Sequence, residues 1–173
     1  MQYHSTYTSP VGPLLLTASE TGLTGLWMDG RNPPPDSREG ETEILRRTSS
    51  WLDGYFRGTA GEMDIPLEPD GTDFQAAVWN ILLTIPYGTL RTYGDIAREI
   101  ALVLGKKTMS AQAVGGAVGN NPISILIPCH RVIGSDGKLT GYAGGLDKKR
   151  WLLQLEGWEL QHDQIRRYRE EKV

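Results

Sequence analysis

Residues Ile125-Leu126-Ile127-Pro128-Cys129-His130-Arg131-Val132-Ile133 constrain this chain more than any other stretch, because they form an apolar run with one formal charge that holds the only cysteine among 173 residues. Pro128 fixes its own φ and has no backbone donor, so the run is predicted to be an extended, partly buried segment and not a helix interior. A thiol held there is positioned, not mobile. A lone cysteine is most often a small buried hydrophobe, so any chemistry at Cys129 has to be argued from its surroundings. Asn121-Pro122 precedes the run and Gly134, Gly137 and Gly141 follow it. Tyr142-Ala143-Gly144-Gly145-Leu146 then opens a short amphipathic helix that ends near Glu156-Gly157. The cysteine therefore stands at the head of a glycine-rich loop.

Composition bounds what the rest can be. A chain of this length, with 39% apolar side chains, forms one domain or two small ones with an ordinary core. Nothing approaches about 18 consecutive apolar residues and the N-terminus has no basic-then-apolar signal region, so a soluble protein with no membrane partner is expected. One cysteine makes no internal disulfide, and His4, His130 and His162 lack zinc-ligand spacing, so no metal and no cofactor is expected and the cytoplasm is the simplest compartment. The net charge of −3 is segregated: residues 1–72 carry −6, residues 73–158 carry +3 and residues 159–173 carry 0. Such a split suits a protein whose C-terminal part meets phosphates, although a surplus of three charges also arises by chance.

Taken in order, Gln2 to Thr8, Leu14 to Ala18 and Leu23 to Met28 read as three antiparallel strands separated by Pro10-Val11-Gly12-Pro13 and Glu20-Thr21-Gly22. Arg31 to Asp36, with three prolines, is a surface loop. Ile44, Leu45, Trp51, Leu52, Tyr55 and Phe56 share a helical face that ends at Gly58. Nothing in this first part carries chemistry. After the acidic, proline-bearing stretch Glu62–Asp70, Thr72 and Gln75 have the spacing of a capping box. Phe74, Ala77, Val78, Ile81 and Leu82 form a core-facing stripe behind it. Ile85-Pro86-Tyr87-Gly88 ends that helix, Thr92 caps a second with Ile96, Ala97, Ile100 and Leu104 on one face, and Thr108 or Ser110 starts a third built from small residues, Ala111 to Gly119. Two short helices joined by a turn bearing glycine and lysine have the layout of a helix-turn-helix. The small side chains let the last helix approach closely whatever it docks on, whether DNA or another helix.

The expected fold class is α/β in the α+β sense, a small N-terminal antiparallel-sheet domain over residues 1–70 and a C-terminal, mainly helical domain over 71–158 with a helix-turn-helix and a cysteine loop. Residues 159–173 are read as a tail that extends a helix or frays.

Pro128-Cys129-His130-Arg131-Val132 resembles the active-site signature of the 6-O-alkylguanine-DNA alkyltransferases, the methylated-DNA–protein-cysteine methyltransferases. Phe74-Gln75 with Val78-Trp79, Ile85-Pro86-Tyr87-Gly88, Thr92-Tyr93 with Ile96-Ala97, Ala113-Val114-Gly115, Asn121-Pro122, and Gly141-Tyr142 with Gly144-Gly145 resemble the family's other motifs, in its order. The likeness covers about residues 73–157. It implies a ribonuclease-H-like support domain at residues 1–70. It also implies a monomer whose partner is double-stranded DNA containing alkylated guanine, with Cys129 as acceptor. His130 would relay the thiol proton through a water to Glu156, with Asn121 supporting the loop. Tyr93 would assist base flipping and reach guanine N3, Tyr142 and the Ala143 N–H would face the 6-oxygen, and Lys149 would stand near the leaving group. Ala113, Gly115 and Arg131 are carried over as further DNA- or substrate-contacting positions. At Gln112 the familiar members carry an arginine that fills the gap left by the flipped base. Glutamine lacks that charge and stacking plane, so weaker DNA binding is expected.

The chemistry needs a thiolate, and a cysteine at its reference pKa of about 8.5 is mostly protonated near neutrality. His130 is adjacent, yet neighbours in an extended segment point to opposite faces, so it is a partner only if the chain bends. Transfer of an alkyl group to sulfur leaves a thioether with no carbonyl for water to attack, so the protein would react once and stop. Activity on 4-O-methylthymine is left open. Three alternatives are weighed: a cysteine hydrolase built on Cys129, His130 and Glu156, a lesion sensor that binds alkylated DNA without repairing it, and a plain helix-turn-helix repressor, which would need a symmetric dimer that nothing in the sequence suggests.

Overall fold

The computed structural model describes Met1–Arg169. The described residues divide into two compact units, one formed by Met1–Asp70 with Pro122–Leu126 and the other by Gly71–Asn121 with residues 127–169.

In the first unit β1 (Tyr3–Ser9), β2 (Gly12–Ala18) and β3 (Leu23–Trp27) pair antiparallel, and β4 (Arg38–Glu39) joins β1 in parallel, giving the order β3-β2-β1-β4. Leu14–Ala18 of β2 are all buried, which is why that run lacks the alternation of a half-exposed strand. Both residues of β4 are exposed and carry no apolar period, so only backbone pairing distinguishes them from the preceding loop. The helix α1 (Glu43–Phe56) starts at Thr42, whose hydroxyl accepts from Leu45 N at 3.2 Å, and buries Ile44, Leu45, Leu52 and Tyr55. Pro122–Leu126, inside the stretch expected to belong to the C-terminal part, return to this unit: Leu26 N donates to Pro122 O (2.9 Å) and Ser124 N to Leu26 O (3.2 Å).

The second unit is built on α2 (Asp73–Leu82), β5 (Arg91–Thr92), α3 (Tyr93–Val103), α4 (Ala111–Gly119), β6 (Val132–Ile133), α5 (Leu146–Leu155), β7 (Trp158–Gln161) and β8 (Gln164–Tyr168). Thr72 and Gln75 close a reciprocal capping box at α2, Thr92 and Asp95 close another at α3, and Ser110 accepts from Ala113 N at 2.9 Å to start α4. Each satisfies a backbone donor that a helix N-terminus otherwise leaves orphaned. Trp79 lies off the expected stripe of α2 but is 1% exposed, because its indole N–H donates to Ala117 O across the interface with α4 at 2.8 Å. The small side chain of Ala117 permits that approach. On α3 the expected face holds at Ile96, Ala97 and Ile100, but Ala101 replaces Leu104, which is exposed at the C-cap. Short β5 and β6 pair in parallel.

Two expectations are corrected. The segment around Cys129 is buried throughout and not extended. Pro128, at φ −80° and ψ 63°, is the centre of an inverse γ-turn in which Cys129 N donates to Ile127 O at 2.7 Å, and Cys129–Arg131 continue as a 3-10 turn closed by Arg131 N to Pro128 O at 3.0 Å. The ring of Pro128 presets that φ. The tail expected from residue 159 is a β-hairpin through Tyr168, formed by antiparallel β7 and β8. Its alternating Trp158, Leu160 and Ile165 supply an apolar face that the arginines and glutamates around them obscure. The part of the tail at residues 170–173 lies outside the described residues.

Candidate active site

The bend after Pro128 turns Cys129, His130 and Arg131 into different surroundings. Cys129 is 4% exposed, and its side chain lines a cavity of about 530 Å³. The cavity is walled by α4 through Ala111, Gln112, Gly115, Val118 and Gly119, by Tyr93 at the start of α3, by Asn121, and by Thr140–Ala143. Of the positions nominated from sequence, Tyr93, Gln112, Gly115, Asn121, Cys129, Tyr142 and Ala143 thus meet at one cavity. Ala113 is exposed on α4 and is not part of the lining.

His130 and Glu156 lie behind the cysteine, 0% and 1% exposed. His130 Nε2 is 2.5 Å from Glu156 Oε2. The carboxylate accepts the ring N–H there, which fixes the tautomer and leaves Nδ1 as the basic nitrogen. Arg131 belongs to this network and not to a DNA-contacting surface, which corrects the role carried over for it. Its Nε and Nη2 donate to Glu156 at 2.7 and 3.1 Å, and its Nη1 donates to Ile85 O at 2.7 Å. The 3-10 turn swings the guanidinium inward, where a charge-assisted fork with a buried carboxylate satisfies it. Glu156 caps the C-terminus of α5, the negative end of the helix dipole, where a carboxylate is disfavoured without such a partner.

The Ile85–Gly88 turn, matched in sequence but given no role, supports the same carboxylate. Gly88 N donates to Glu156 Oε1 at 3.4 Å, and the Tyr87 ring lies 5.6 Å from the Arg131 guanidinium. Asn121 Nδ2 donates to Ile127 O at 2.8 Å, pinning the turn that presents the thiol. Lys149 is fully buried behind the cavity wall and donates from Nζ to Val132 O (2.7 Å), Thr140 O (3.1 Å) and Gly141 O (3.4 Å). Tyr93 OH donates to Thr140 O at 3.4 Å. Thr140 escaped notice in the sequence because it acts through its carbonyl, which no side-chain pattern reports.

The electrostatics follow from burial. Burial pushes the Cys129 thiol up, against hydrogen bonds from Asn121 and Tyr142 and the charge of Lys149. Burial pushes His130 down, opposed in part by Glu156, so the imidazole is neutral near pH 7. Burial alone would raise Glu156, but in the acid range, where His130 is protonated, the charges and hydrogen bonds of His130 and Arg131 outweigh it and hold the carboxyl well below its ordinary range. Burial lowers Lys149 to about 8. The resting state is a protonated thiol beside a neutral base held by a carboxylate. Among the described residues no helix is long and apolar enough to cross a membrane, and no group of three His, Cys, Asp or Glu side chains could hold a metal ion.

Residues 73–158 match the 6-O-methylguanine DNA methyltransferase DNA binding domain, and residues 2–69 match the ribonuclease-like domain of the same enzymes. A methylated-DNA–protein-cysteine methyltransferase of Methanosarcina acetivorans is 48% identical over 158 residues, 90% of this chain and 98% of that protein. The chain belongs to the methylated-DNA–protein-cysteine methyltransferase family. A member from Haemophilus influenzae is 42% identical over 158 residues, covering 89% of this chain and 86% of its own length. The crystal structure of Mycobacterium tuberculosis OGT in complex with DNA superposes with a TM-score of 0.80 at 45% identity, covering 89% of this chain and 92% of that one. In this methyltransferase the mixed fold, with an N-terminal sheet and, among the described residues, five α-helices, is similar to that of the M. tuberculosis structure.

Proposed function

We propose that this protein repairs DNA by moving the alkyl group of a 6-O-alkylguanine onto Cys129 Sγ in one irreversible turnover. The observation that carries the reading is a lone thiol at the wall of a base-sized cavity, backed by a buried His130–Glu156–Arg131 network. The alkyl carbon of the target lies inside a duplex, so the guanine must first be flipped out. α3 and α4 are the helices that would meet the duplex, with the exposed first turn of α4, including Gln112, at the mouth of the cavity.

Behind the cysteine, His130 Nδ1 takes the thiol proton through a bridging water, and Glu156, charged and held by Arg131, stabilises the imidazolium that forms. The sulfur attacks the alkyl carbon. A C–S bond forms, the C–O bond breaks, and guanine leaves with that electron pair and takes up a proton. Tyr93 and Tyr142, with the Ala143 N–H, are the donors available to the departing base. Lys149 offsets charge near the sulfur while tying down the wall at Thr140 and Gly141. The thioether is not hydrolysed, so the protein is consumed with its substrate. A compartment that keeps thiols reduced, the cytoplasm, suits this chemistry.

Mass spectrometry after mixing with duplex DNA containing 6-O-methylguanine tests the reading. One methyl group per chain is expected, on the peptide bearing Cys129, and none with Cys129→Ala. Repeated product release would point to a hydrolase, and binding without transfer to a lesion sensor.

A further inference from the structure

The match to the DNA binding domain ends at Trp158, yet the chain continues as the β7–β8 hairpin. That hairpin is tied to the loop leading from β6 to the cavity wall. Leu139 N donates to Asp163 O (2.7 Å), Ile165 N to Gly137 O (2.9 Å) and Gln164 Nε2 to Asp136 O (2.9 Å). An isolated antiparallel bridge between Lys138 and Gln164 adds to these ties. Leu139, 2% exposed, sits with Ile133 and Leu153 in an apolar cluster against which Trp158, Leu160 and Ile165 pack. Thr140 follows directly and begins the wall. Asp163 also pairs with Arg150, next to the Lys149 that holds Thr140 and Gly141 from behind.

We propose that the hairpin is a positioning element of the alkyl-transfer site, setting where Thr140–Ala143, and with them Tyr142, stand relative to Cys129. The proposal rests on the alkyl-transfer reading above. Thr140, Gly141 and Ala143 are exposed and only Tyr142 is half-buried, so the wall takes its position from its anchors, Lys149 and Leu139, with Tyr93 bonded to Thr140 O. The hairpin supplies much of the apolar packing around Leu139 and the acceptor for its N–H. Its far end reaches the other side of the site: the Tyr168 ring packs edge-on against Trp158 (5.1 Å) and occupies the space that a side chain at Gly88 or Gly157 would need. Misplacing a reacting group by about 1 Å costs on the order of 100-fold in rate, so small shifts of the wall register in transfer and not in binding.

The test is single-turnover methyl transfer from a 6-O-methylguanine duplex, measured across DNA concentrations to separate affinity from limiting rate, for the full chain, Ile165→Ala and Ile165→Val. Ile165→Ala should lower the limiting rate about tenfold with DNA affinity within about twofold, and Ile165→Val should restore it. A folded Ile165→Ala protein with a lower melting temperature and an unchanged limiting rate overturns the proposal. Amide exchange at Leu139 to Ala143, measured without DNA, should quicken in Ile165→Ala, and unchanged exchange also overturns it. If Ile165→Ala fails to fold, Gln164→Ala removes the bond to Asp136 without touching the apolar cluster and carries the same comparison. A wild-type protein that transfers no methyl group sinks the alkyl-transfer reading instead, while the exchange measurement still decides whether the hairpin holds the wall.

Discussion

Glu156→Gln keeps the shape of a side chain that is 1% exposed and removes its charge. The carboxylate meets Arg131 Nε on Oε1 at 2.7 Å, and Arg131 Nη2 at 3.1 Å and His130 Nε2 at 2.5 Å on Oε2. An amide has one oxygen, so in either orientation its NH2 faces at least one of these donors. Breaking a buried ion pair from one side costs about 3–5 kcal/mol. In a chain of this size each kcal/mol lowers the melting temperature by about 2–4 °C, so the variant should melt roughly 6–20 °C lower at pH 7. Loss of the carboxylate also makes His130 a weaker base, and general-base assistance is worth about 10²–10⁴ in rate, so transfer should slow by about 100-fold or more. The sign with pH follows from the depressed carboxyl. Its contribution to stability is present above the unfolded value of about 4.5 and is lost as pH falls toward the lower folded value, so the two proteins' stabilities should converge in acid. Thermal unfolding followed by circular dichroism at several pH values, together with single-turnover methyl transfer, reads all three effects. A variant melting within about 2 °C of wild type and reacting within about threefold of its rate would refute the assignment of this network.

Lys149→Met should change how stability depends on alkaline pH. The folded value of about 8 lies below the unfolded 10.5, so the unfolded chain binds more protons between them and wild-type stability gains on the variant's as pH rises through that window; parallel curves in denaturant titrations would exclude a buried charge there. Gln112→Arg places a cation on the exposed first turn of α4 at the cavity mouth, and should tighten binding to alkylated duplex and steepen its salt dependence by about one phosphate contact. Unchanged or weaker binding removes the account of that position.

Short-range chemistry was enough for the helices. Thr72 with Gln75, Thr92 and Ser110 each act on a donor three residues away, so their helix starts are written locally, and the apolar stripe of α2 needs only its own period. The same holds for β1 to β3, where the alternation of β1, the short apolar run of β2 and the turn residues between the strands suffice. Cys129 stood out because one reactive residue type in an apolar run is visible without knowing what surrounds it. The destinations of charged side chains were not visible, because burial of an ion is decided by a partner far along the chain. Arg131 looks like a surface cation until Glu156 and Ile85 O come together around it. Lys149 looks solvated until three carbonyls from Val132, Thr140 and Gly141 converge on its ammonium. The β7–β8 hairpin stayed hidden for a related reason: its apolar residues need Leu139 and Leu153 to make a core, and a strand pair that short is not stable until it packs on something else.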